Sequence, residues 1–168
     1  MTLFNRLITQ EQVPRNAKPF NLLSPINGKV VPLDKVPEPL FTQRIFGEGV
    51  AIEPSGYQVF APFAGKVLFF PELANQIRLK AKNGLQLQIQ LGLDSHLMMG
   101  EGFKRLVKQG EQIEQGQAIA EFAIHKMKKS LDCTLCPITI LNSNKVKGIQ
   151  AHYYSARANE DNIMSIYI

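Results

Sequence analysis

The chain is short of the features that most often announce a function. Its 168 residues hold only two cysteines and three histidines. No apolar run approaches the ~20 residues of a membrane-spanning helix, and the N-terminus lacks the apolar core of a signal peptide, which points to the cytoplasm. Cys133 and Cys136 are too few for a disulfide framework. Their C-x-x-C spacing lacks a second such pair or an adjacent pair of histidines, so zinc is weakly supported and two small core or near-surface thiols are expected. The net charge is +5, spread thinly over several lysine groups. With no arginine-rich run or basic motif interleaved with aromatics, these charges read as solvated faces and nucleic-acid binding is not expected.

A composition of 45% hydrophobic and 20% charged residues excludes wholesale disorder. Residues 1–20 read as an N-terminal tail. Leu3, Phe4, Leu7 and Ile8 fall at helical spacing, so a short amphipathic turn is expected there, suited to peripheral membrane contact through residues 1–10 or to fraying. Residues 21–168 then suffice for one β domain with its own core.

No segment carries a long helical period; short strand patterns follow one another instead. They fall at Gly49–Ile52, Tyr57–Phe60, Lys66–Phe70, Gln76–Ala81, Leu85–Leu91, Thr134–Leu141 and Ile163–Ile168, with one short helix over 123–132. Asn83-Gly84 predicts a hairpin with a type I′ turn. The chain also repeats itself. Ser24-Pro25-Ile26-Asn27-Gly28-Lys29-Val30 matches Ala61-Pro62-Phe63-Ala64-Gly65-Lys66-Val67, and two copies a small β-unit apart indicate an internally duplicated all-β fold. The most regular stretch is Leu85–Leu91. Leu85, Leu87, Ile89 and Leu91 share one face, while Gln86, Gln88 and Gln90 form an exposed polar row on the other. That row, with Asp94 and His96 beyond it, is the first candidate working surface.

Further motifs carry a resemblance. They are Ser24-Pro25-x-x-Gly28, Gly47-x-Gly49-Val50-Ala51-Ile52, Ala61-Pro62-x-x-Gly65, Leu91-Gly92-Leu93-Asp94, Gly100-Glu101-Gly102-Phe103-Lys104-Arg105 and Thr134-Leu135-x-Pro137. Together residues 23–141 resemble the glucose-specific enzyme IIA family of the bacterial phosphoenolpyruvate-dependent sugar phosphotransferase system. The resemblance implies a flattened antiparallel β-sandwich of the duplicated hybrid motif type. It also implies phosphoryl transfer from the carrier HPr, through a histidine, to the IIB domain of a sugar permease.

The family's acceptor histidine corresponds to Gln90 and its supporting histidine to Asn75. Neither amide nitrogen is a nucleophile, because its lone pair is delocalised into the carbonyl. The resemblance therefore implies a non-phosphorylatable regulatory or binding paralogue, with no cofactor and no metal. Its partners would be HPr-like proteins, permeases or regulated enzymes, held on a face formed by Glu38, Leu40, Phe41, Phe46, Pro71, Asp94 and His96. The alternative is an active phosphocarrier that uses His96 as a substitute acceptor; His125 and His152 read as solvated. Zinc peptidases of the lysostaphin kind share this fold type, but their H-x-x-x-D and H-x-H motifs are missing. Lys126-Met127-Lys128 lacks the flanking residues of a biotinyl attachment site and reads as a solvated lysine face.

Overall fold

The computed structural model describes residues 6–168. Its strands are β1 (Phe20–Leu23), β2 (Gly28–Pro32), β3 (Glu48–Pro54), β4 (Gln58–Phe60), β5 (Gly65–Phe69), β6 (Gln76–Ala81) and β7 (Gln86–Gln90), followed by β8 (Phe103–Arg105), β9 (Gln112–Ile113), β10 (Ala118–Phe122), β11 (Cys136–Ile140), β12 (Gly148–Ala151), β13 (Ser155–Ala156) and β14 (Asn162–Tyr167). Two short helices interrupt them, α1 (Pro39–Thr42) and α2 (Ile124–Ser130). An eight-stranded sheet runs in the order β13-β2-β3-β11-β7-β6-β5-β9, and two three-stranded sheets run β1-β14-β12 and β4-β10-β8. The pairings within these sheets are antiparallel, giving the all-β sandwich that the sequence led us to expect. Among the described residues, no helix is long and apolar enough to cross a membrane.

Alternation decides what lies inside. Across the large sheet, Val50, Ile138, Ile89 and Ile77 form one rung of directly paired residues, and Ile140, Leu87 and Leu79 belong to the next. All seven are fully buried, so each strand gives one aliphatic face to the core. A second, smaller cluster lies on the opposite face of the sheet. Leu33, Val36, Phe41 and Ala51 are buried there against Val31, Phe46, Leu93 and Leu135. The segment between β2 and β3, including α1, thus folds back over one half of the sheet.

Four expectations need correction. Gln88 is not part of an exposed row; it is completely buried. Gln76 Nε2 and Arg78 Nε both donate to its Oε1, at 2.6 and 2.9 Å, and these two side chains from β6 close over it. The Asn83-Gly84 hairpin has only Gly84 at positive φ, so the turn is not type I′. Gly84 N–H donates to the Ala81 carbonyl and the Asn83 side chain accepts from Leu85 N–H, a type I turn closed by a glycine bulge.

The amphipathic turn expected near the N-terminus is also not formed at Leu7 and Ile8, and a short 3-10 turn follows at Gln10–Gln12; Leu3 and Phe4 lie outside the described residues. Leu7 instead makes a parallel bridge to Ile149, with Ile8 N–H donating to Ile149 O and Ile149 N–H to Arg6 O at 2.9 and 2.7 Å. Backbone pairing with an open sheet edge outcompetes a helix too short to stabilise itself. Finally, His152 is half-buried rather than solvated. Its Nε2 lies 3.0 Å from Ser165 Oγ, and burial pushes its pKa below the usual imidazole value.

Candidate functional site

A cleft of about 410 Å³ opens where α1 meets the ends of β6 and β7. Its first wall comes from the segment after β2. Glu38 caps α1, accepting from Leu40 N–H at 3.2 Å, and Pro39 occupies the first helical turn, where a missing N–H leaves no donor unsatisfied. Phe41 is buried beneath this turn and meets Phe46 at 5.3 Å between ring centroids, tilted by 50°. Glu38, Leu40, Phe41 and Phe46 all line the cleft, and Phe69, Pro71 and Leu73 form the wall across from them.

The floor is made of amides. Gln76 and Gln90 face each other as paired residues of β6 and β7, and Asn75 lies just ahead of β6. Each of the three side-chain nitrogens is committed inside the protein. Asn75 Nδ2 donates to Ser95 Oγ at 3.3 Å, Gln90 Nε2 to Gly92 O at 3.0 Å, and Gln76 Nε2 to the buried Gln88 Oε1. Among the described residues the three carbonyl oxygens have no hydrogen-bond partner, and they are not among the buried unpaired atoms. They are left to solvent as acceptors. With the Glu38 and Asp94 carboxylates on the walls, the cleft is rich in acceptors and poor in donors.

Asp94 and Met99 sit in the left-handed region, at φ 55° and 54°, on either side of the short 3-10 turn Ser95–Met98. This tight turn sets His96 at the mouth of the cleft. The His96 side chain is exposed and makes no hydrogen bond or ion pair among the described residues. Around the cleft the surface is apolar: Leu40 and Phe69 are 40% and 39% exposed, and beyond His96 Leu97 and Met99 reach 71% and 79%.

The nine positions that the resemblance singled out, Glu38, Leu40, Phe41, Phe46, Pro71, Asn75, Gln90, Asp94 and His96, line this one cleft, whereas Gln86 and Gln88 of the glutamine row do not. Sequence reasoning missed Phe69, Leu73, Gln76 and Leu93. Gln76 was within reach, since it begins the alternation Gln76-Arg78-Lys80 and must therefore share a face with the glutamines of β7. Among the described residues, no group of three His, Cys, Asp or Glu side chains is arranged to hold a metal ion. Cys133 and Cys136 are free thiols. Burial pushes the Cys136 thiol up to about 12, which makes it a poor nucleophile at neutral pH.

Comparison with known proteins gives a consistent answer. Residues 20–146 match the family model for the phosphoenolpyruvate-dependent sugar phosphotransferase system, EIIA 1. The chain is 32% identical over 136 residues to the PTS system glucose-specific EIIA component of Oceanobacillus iheyensis, covering 81% of this chain and 82% of that one. It is 32% identical over 148 residues to the component of the same name from Staphylococcus epidermidis, covering 88% and 87%. Among solved structures, glucose permease IIA from Mycoplasma capricolum superposes with a TM-score of 0.80 at 22% identity, over 88% of this chain and 96% of that one.

Proposed function

The chain belongs to the EIIA 1 family of the phosphoenolpyruvate-dependent sugar phosphotransferase system, and from that premise we propose that it works by docking proteins of that system without accepting a phosphoryl group itself. One observation carries the reading. At the positions corresponding to the family's two histidines, Asn75 and Gln90 turn their nitrogens into the protein and leave carbonyl oxygens toward the cleft. An amide oxygen cannot hold a phosphoryl group as an imidazole nitrogen does. A floor of acceptors beside two carboxylates also disfavours a phosphate dianion electrostatically.

The surroundings suit a protein partner. Exposed Leu40, Phe69, Leu97 and Met99 offer apolar contact around a polar centre, the general arrangement of a docking patch. The Glu38 and Asp94 carboxylates complement a cationic surface. The partners proposed are HPr-like proteins, a permease domain or an enzyme under sugar control. The glucose-specific relatives make glucose uptake the first system in which to look.

A second reading has one observation in its favour: His96 lines the same cleft and its ring is unpaired. A neutral imidazole at that place is a competent nucleophile near pH 7. Incubation with enzyme I, HPr and labelled phosphoenolpyruvate separates the two. The docking reading expects no acid-labile label, together with retention of partners on the immobilised protein that Glu38→Lys or Asp94→Lys abolishes. Label that disappears in His96→Ala would make this a carrier, and label that persists in that variant would refute the docking reading outright.

A further inference from the structure

The N-terminal strap, the cleft wall and a buried carboxylate are joined in one chain of contacts. Glu48 opens β3 with a side chain that is fully buried. Its Oε1 accepts from Arg44 Nε at 2.8 Å, and its Oε2 accepts from the backbone N–H of Arg6 at 3.4 Å. Arg44 reaches onward. Its Nη1 donates to Asp34 Oδ1 at 2.7 Å, to Thr42 O at 2.9 Å and to Phe41 O at 3.4 Å. One guanidinium therefore gathers the segment after β2, the carbonyl end of α1 and the start of β3. Arg44 does this from the left-handed region, at φ 61°, a conformation that a non-glycine residue keeps only where its surroundings impose it.

We infer that the strap of residues 6–8 controls the order of the cleft wall through Glu48 and Arg44. This rests on the docking reading for its use, though not for its test. The strap supplies the donor on the far side of the Glu48 carboxylate and helps to bury it. A carboxylate that keeps Arg44 and the Gly49 N–H but regains water is screened, and its hold on Arg44 weakens. Arg44 in turn adds a polar tie between α1 and the start of β3, beside the packing of Phe41 on Ala51. A seated strap keeps the wall preformed for a partner; an unseated one leaves the partner to order it on binding, which lowers affinity.

The seat itself is poised to release. Beyond the two backbone hydrogen bonds to Ile149, the strap rests on Gly148, where Ile8 packs so closely that an added Cβ would meet its Cδ1 at 2.8 Å and its Cγ2 at 2.9 Å. Arg6 Nε is buried there with no hydrogen-bond partner, a standing penalty on the seated state. Anything that captures the N-terminal segment thereby gains a handle on a cleft wall built forty residues further along the chain.

Hydrogen exchange of the full-length protein tests this without any partner, so its failure would leave the docking reading intact, and failed docking would leave this inference intact. The nearest atoms to a Cβ added at Gly148 all belong to Ile8, so Gly148→Val presses on the strap, and the Ile8→Asp, Gly148→Val double variant removes the apolar seat as well. In the double variant the backbone amide of position 8 should lose protection, and exchange across residues 40–47 should rise about tenfold while Ile89 and Leu87 stay protected. Glu48→Gln should raise exchange over 40–47 with the strap amide still protected. Unchanged exchange at 40–47 once the strap amide is open would overturn the inference, as would a rise that merely tracks the core strands. A strap amide still protected in the double variant would overturn it too, by showing that Ile8 on Gly148 is not the seat.

Discussion

The two copies of the repeated motif open equivalent strands and have opposite surroundings. Gly28 opens β2 and Gly65 opens β5, and a Cβ at either would overlap a carbonyl oxygen of the neighbouring strand, Glu53 in one case and Lys80 in the other. Each leads its strand into an antiparallel pair, β2 with β3 and β5 with β6, at matching places on either side of the β11–β7 centre. The outer faces then diverge. Over β2 and β3 the α1 segment lays down Leu33, Val36 and Phe41, whereas over β5 and β6 nothing is laid down: Lys66 and Lys80 pair across the strands in solvent, and Arg78 lies 5.5 Å from the ring of Phe69. The cleft opens at the seam, with its apolar wall from the covered half and its amide floor from the bare one. Duplication supplied the frame, and the loss of symmetry made the site.

If the frame is symmetric, the largest effect should come from breaking it at either copy. Gly28→Ala adds a strained backbone, at φ +154°, to the overlap with Glu53, and Gly65→Ala meets backbone at Lys80 with no such strain. Both should lose about 4 kcal/mol or more, with Gly28→Ala at least as severe, as read from urea midpoints. A tolerated alanine at one copy only would show that the two halves do not share a frame. Next in size is Phe41→Ala, which strips the cover from one half alone. Removing a ring buried to 1% exposure should cost about 3 kcal/mol or more. Exchange should increase over residues 31–51 and leave β5 and β6 as they were.

The frame was the legible part. Alternation found β5, β6 and β7 to within a residue or two, because each has one aliphatic face against the core, and the Pro-x-x-Gly-Lys-Val motif disclosed the duplication. The cover was not legible by the same means. α1 is four residues long, too short for any helical period to register, and only Pro39 behind an acidic capping residue marks it. Gln88 misled for a related reason. Alternation states which face a side chain takes, but not whether that face is wet, and Gln76 and Arg78 closing over it are a property of the neighbouring strand. The site positions were legible through the family motifs, whereas Gln76 needed the register between β6 and β7.

The bare half should accept change at its floor far better than the covered half accepts loss. In the Asn75→His, Gln90→His double variant both rings replace half-buried amides whose side-chain partners among the described residues are Ser95 Oγ and Gly92 O. Stability should move by no more than about 1 kcal/mol, with Leu87 and Ile89 beneath undisturbed. On the docking reading proposed above, labelling from HPr should stay slow or absent. Rapid labelling would mean that only the nucleophile had been lost and that the asymmetric walls still fit the ancestral partner.

The smallest effect should come from acid, and it belongs to the covered half alone. The hydrogen bond from Arg44 holds the Asp34 carboxyl below its ordinary range, against the opposing pull of partial burial. A carboxylate with a lower pKa in the folded chain than in the unfolded one stabilises the fold at pH values above about 3.9. That contribution fades as pH falls through the folded value, when the protonated group no longer pairs with Arg44. Asp34 is 66% exposed on its side chain, so the pair is screened and its share stays at a few tenths of a kcal/mol, roughly 0.3. Asp34→Asn should therefore lower the urea midpoint slightly at pH 6 and cease to differ from the parent once pH has fallen well below the lowered folded-state value. Arg44 keeps its bonds to the Thr42 and Phe41 carbonyls, which do not titrate, so the α1 cover should loosen without lifting. A difference between parent and variant that grows toward low pH would have the wrong sign, and would mean that the Asp34 carboxylate opposes the seating of α1.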